Sequence, residues 1–193
     1  GFSEGAFAAA ALTSDVMDCF PSCRDVTCCP DSALLLHDDW RNIARNVWHA
    51  EEKFWKPLRS RNLFLDWMRG LHGEKGESVK YLYICSIRDS ALAIFQRFFD
   101  RGKLELAREH AERFQDDLKA MVREMKAEIP GIGLFLFDIP ETMADPAIYN
   151  STQHCIIHHE SFAKPLSHGI SAKDWLWDAV NGRIRDAGLE LLG

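Results

Sequence analysis

The stretch Val79–Ile139 limits the choice of fold more than any other part of the chain. It opens with VKYLYICSI, an apolar run rich in β-formers. A long helix-compatible segment follows, Pro130 and Gly131 break it, and GLFLFDI closes it. Both end runs are apolar at successive positions, as parallel strands are when helices cover both faces of their sheet. The pattern predicts a βαβ unit. The fold class it implies is α/β, a small and mostly parallel sheet with long flanking helices.

The length of 193 residues suits a single α/β domain over 36–193, preceded by an irregular, cysteine-containing N-terminal appendage over 1–35. Within that appendage only a short helix near Asp15–Phe20 is expected. A net charge of −6 speaks against a nucleic-acid-binding face, which shows as a basic excess. No apolar run is long enough to span a bilayer, so no membrane partner is expected. The opening GFSEGAFAAAALTSD lacks the basic region of a signal peptide, and the chain is read as soluble and cytoplasmic.

Leu36, Trp40, Ile43, Val47, Phe54 and Leu58 recur at helical intervals and predict one amphipathic helix over 36–58, with Trp40, Trp48 and Trp55 on or beside its apolar face. A second helix is expected over 62–71, then a glycine-rich turn to Ser78. Asp89 is a natural N-cap for the helix after the first strand, and Gly102 marks a break in it. His154–His158 reads as a short third strand, 159–169 as loop, and Ser171 as the cap of a closing helix.

In open parallel sheets ligands bind beyond the carboxyl ends of the strands. Ser86, Arg88, Asp89 and Ser90 sit at the first such end. A helix N-terminus favours an anion there, and Arg88 would add a bidentate donor. The same residue types also serve as simple helix caps. Asp138 ends the second strand, where a carboxylate suits acid, base or metal-ligand work. His154 and His158 are catalytic candidates beside it. On a strand they lie roughly 13 Å apart, too far to share a metal ion without a bend. Cys19, Cys23, Cys28 and Cys29 form a C-x3-C-x4-CC cluster that could hold zinc, form a disulfide or remain inert. No GxxxxGK[ST], no GxGxxG after either strand and no HExxH is present. No GxSxG nucleophile elbow is assigned.

The order VKYLYICSI, long helix, GLFLFDI and then AIYNSTQHCIIHHESF resembles the core of non-catalytic phospholipase-D-like sensor or effector domains. The His-x-Lys-x4-Asp signature of the catalytic members is absent, so the resemblance implies binding rather than phosphodiester cleavage. The function expected from the sequence is a regulatory or sensor domain that takes a small anionic ligand at Ser86, Arg88, Asp89, Ser90 and Asp138. The alternatives are a metal-assisted hydrolase of phosphodiesters and a protein-interaction module, the latter pairing with a protein partner or with itself through exposed tryptophans.

Overall fold

Alternate side chains of one central strand enter two separate cores. Tyr81, Tyr83 and Cys85 point into the larger core, while Leu82 and Ile84 point into the smaller. The computed structural model, which describes residues 1–166 and 168–193, is an α/β fold around three parallel strands, β1 (Val26–Cys28), β2 (Val79–Ser86) and β3 (Gly133–Phe137), in that spatial order. Val26 pairs with Val79, and Leu82 through Ser86 pair with Gly133 through Phe137. Residue 167, inside the expected 159–169 loop, lies outside the described residues. At the carboxyl edge, parallel bridges widen the sheet on both sides. Phe2 meets Asp31, Asp31 meets Ile84, and Phe135 meets Ala187.

The helices are α1 (Glu4–Cys19), α2 (Trp40–Asn42), α3 (Glu52–Trp55), α4 (Leu63–Lys75), α5 (Ser90–Arg101), α6 (Arg108–Glu128), α7 (Pro146–Tyr149) and α8 (Ala172–Val180). Apolar residues of α1, α4 and α6 fill the larger core, and α8 brings Trp175 and Ala179 to the smaller. The break foreseen at Gly102 is there. Gly102 adopts a left-handed conformation (φ 67°) and its N–H donates to the Phe98 carbonyl, which ends α5. Among the described residues no helix is long and apolar enough to cross a membrane.

Three expectations need correction. Residues 1–35 are no appendage: α1 packs on α4, β1 pairs with β2, and Ala6, Ala10, Cys28, Ala33 and Leu34 are buried in the larger core. The apolar face of α1 is made mostly of alanines, which pack closely but give a weak periodic signal. The single helix over 36–58 is broken. A π-helical turn spans Ile43–Val47, and His49 takes a positive φ of 51° before α3 starts. Trp40 and Leu58 are buried together in a satellite cluster, whereas Trp48 is 49% exposed. Finally, no strand forms over 154–158, for a reason that lies in the site itself.

Candidate active site

All strand pairings are parallel, so every strand delivers its following loop to one edge. At that edge Phe2 bridges Asp31, the Ser3 N–H donates to the Asp31 carbonyl at 2.9 Å, and α1 begins at Glu4. Ser3 occupies the corner between this bridge and α1, with φ 53° and ψ −126°. A non-glycine residue in such a region stores about 1–3 kcal/mol of strain, and such residues cluster at functional sites. A Cβ on Gly1 would collide with the Gly5 carbonyl oxygen, so the turn requires glycine at its start.

Asp89 follows β2 and is fully buried. Its Oδ1 accepts the Leu92 N–H at 2.9 Å and so caps α5, as expected. Its two oxygens also lie 2.9 and 2.8 Å from Nδ1 of His154. Nε2, on the other side of the ring, lies 2.9 Å from Oγ of Ser3. A carboxylate accepts only, so Nδ1 carries the hydrogen. Nε2 of the neutral ring is then the acceptor facing the serine hydroxyl.

Two clamps place His154. Before it, the Thr152 N–H donates to the Arg88 carbonyl at 2.9 Å and the Ser90 N–H donates to the Thr152 carbonyl at 3.0 Å. After it, Oδ2 of Asp31 accepts the N–H groups of Ile156 and Ile157 at 2.8 and 2.9 Å. Ser32 Oγ accepts the Cys155 N–H at 3.2 Å. These side chains take the N–H groups that a strand would offer to a neighbour, and Cys155 turns at φ 58°. That is why the expected third strand is a turn.

The ionisation of these groups follows from their surroundings. Burial works against a charged His154 ring, but the hydrogen bonds to Asp89 and Cys155 and the charge of Asp89 outweigh it, and hold the ring's pKa above the ordinary 6.5. Burial raises Asp31, and the N–H groups of Ile157 and Ile156 oppose that rise. Cys155 Sγ lies 3.3 Å from His154 Nε2, yet the residue is fully buried.

Of the other candidates, Arg88 and Asp138 meet each other. Arg88 Nη2 contacts both Asp138 oxygens at 3.0 and 3.2 Å, while Nε donates to the Asn150 carbonyl at 2.7 Å and Nη1 to Gln115 at 3.2 Å. The guanidinium that would face an anion is thus engaged within the protein. Ser90 donates to Glu141 at 2.7 Å, and Ser86 Oγ is buried without a hydrogen-bond partner among the described residues. His158 is exposed and stacks on Phe2, with ring centroids 5.1 Å apart, rather than joining His154. Cys19 and Cys23 are exposed and Cys28 is buried. Burial pushes the Cys29 thiol up to about 12. Among the described residues no group of three or more His, Cys, Asp or Glu side chains could hold a metal ion, so the cysteine cluster is not assembled as a zinc site.

Ser3 is the residue that sequence reasoning missed. The signal was present: Gly1-Phe2-Ser3-Glu4-Gly5 fits G-x-S-x-G at the mouth of a helix, and Ser3, Asp89 and His154 follow one another along the chain. The expectation that the chain lacks a GxSxG pattern is therefore corrected. Comparison of the chain with family models, with curated proteins and with solved structures found no match.

Proposed function

We propose that the chain is a serine hydrolase acting on esters, with Ser3 as nucleophile, His154 as general base and Asp89 as the group that orients the ring. The observation that carries this reading is the continuous Oγ–Nε2–Nδ1–carboxylate chain, at 2.9, 2.9 and 2.8 Å, with its serine in a strained conformation just before α1. Ser, Asp and His in that chain order, gathered at one edge of a parallel sheet, match the triad order of α/β-hydrolases.

In this reading Ser3 Oγ attacks the ester carbonyl as its proton passes to His154 Nε2. The tetrahedral oxyanion faces the N-terminal end of α1, whose N–H groups have no intrahelical acceptor and whose dipole favours negative charge. His154 then returns the proton to the departing alkoxide as the carbon–oxygen bond breaks. Water, deprotonated by the same nitrogen, releases the acid and restores Ser3. Asp89 accepts from Nδ1 and so stabilises the imidazolium that forms in each half-reaction. Cys155 is no rival nucleophile, because a fully buried sulfur does not reach an external carbonyl.

A fluorophosphonate probe read by intact and peptide mass tests the assignment. One adduct on Ser3 is expected, and Ser3→Ala should lose both the adduct and ester cleavage. Cleavage that survives in Ser3→Ala would sink the proposal.

A further inference from the structure

A cavity of about 280 Å³ opens beside the triad, with Ser3, Glu4 and His154 at one end. Trp40, Trp67 and Leu92 line its wall, and Trp48, Phe95 and Phe99 its rim, at 49%, 45% and 36% exposure. These side chains come from the broken 36–58 segment, from α4 and from α5. Since Asp89 caps α5, one helix carries both the acid's anchor and part of the cavity lining. The indole N–H groups of Trp40 and Trp67 are spent elsewhere, on the carbonyls of Arg61 (2.9 Å) and Phe54 (2.8 Å). Both rings therefore offer the cavity no hydrogen-bond donor. Beyond the catalytic pair, Glu4 supplies the charge at this end. The Glu4 carboxyl is held below its ordinary value by its own backbone N–H and by Ser3, so it carries a negative charge at neutral pH.

We infer that this cavity is the acyl pocket of the hydrolase proposed above, and that the substrates are uncharged esters of short to medium aliphatic or aromatic acids. The inference rests on that proposal and adds the substrate class. At about 280 Å³ the cavity lies near the lower end of the roughly 300–1,000 Å³ typical of small-molecule sites, a size that suits an eight-carbon acyl chain better than a sixteen-carbon one. An apolar wall gains from each buried methylene, while a carboxylate on the acyl group would meet the Glu4 carboxylate.

The test is a series of 4-nitrophenyl esters given to the full chain: acetate, butyrate, octanoate, palmitate and the anionic hemisuccinate, alongside fluorophosphonate labelling. Octanoate should exceed acetate in kcat/KM by about ten-fold or more, the scale on which an apolar pocket discriminates between chains. Palmitate should fall below octanoate, and hemisuccinate below butyrate. Trp48→Ala, altered at the half-exposed rim, should lower the octanoate-to-acetate ratio. A flat profile, or a preference for acetate or hemisuccinate, with Ser3 still labelled would overturn the acyl pocket and leave the hydrolase standing. No labelling of Ser3 and no ester cleavage would overturn both.

Discussion

His154 serves as a base only because each ring nitrogen is committed, one to Asp89 and one to Ser3. The direction of its shift sets a pH signature. The base must be neutral, and Asp89 favours the charged ring, so the acid limb of kcat/KM should be half-maximal above pH 6.5. Asp89→Asn should move that limb down towards 6.5 and lower kcat by about 10⁴-fold, the scale of losing the orienting carboxylate. A limb below 6.5 in the parent protein would contradict the pairing. The same shift has a stability consequence of defined sign. A raised folded pKa means that the pair stabilises the fold fully below 6.5 and loses this contribution as pH rises through the folded value. His154 and Asp89 each stood out in the sequence, one as a catalytic candidate and the other as a helix cap in an anion site, but not as partners of each other. Nothing local joins them, because they lie 65 residues apart and His154 lies 151 residues from Ser3.

At the scale of elements, Asp31 decides the shape of the loop that carries His154. Its carboxylate gathers two backbone N–H groups that would otherwise pair in a strand. Asp31→Ala leaves those donors buried without an acceptor, at about 1–3 kcal/mol. The expected outcome is a lower Tm together with a fall in both kcat and the rate of fluorophosphonate labelling. Asp31→Asn, which keeps one acceptor oxygen, should recover part of each. A lower Tm with labelling unchanged would show that Asp31 supports the fold without positioning His154. The Cys-Ile-Ile run read as a strand because its composition favours one. Composition carries no information about a carboxylate 125 residues earlier that claims its N–H groups. The 36–58 segment misled for a related reason. Its spacing suits a helix, but burying Trp40 with Leu58 in a cluster of their own requires the chain to turn at His49.

For the whole molecule, the sheet divides two cores of unequal size, and the smaller one backs the site edge. Phe135, fully buried there, lies 5.4 Å from the Trp175 ring and 4.9 Å from that of His168. Phe135→Ala should cost about 3–5 kcal/mol, read as a lower denaturant midpoint with little change in slope. A loss under about 1 kcal/mol would mean that α8 repacks freely against the sheet.

The amino-acid sequence by itself determined the α/β class, β2 and β3, the break at Gly102 and the caps at Asp89 and Ser171. Each of these follows from short-range periodicity or from backbone preferences that a few neighbouring residues settle. Tertiary structure alone decided which residues meet. Parallel strand order brings Ser3, Asp89 and His154 to one edge, and the same packing closes Arg88 onto Asp138. The physical reason is that hydrogen-bond partners across such separations are selected by the packing of the sheet and its helices, which no local window of sequence contains.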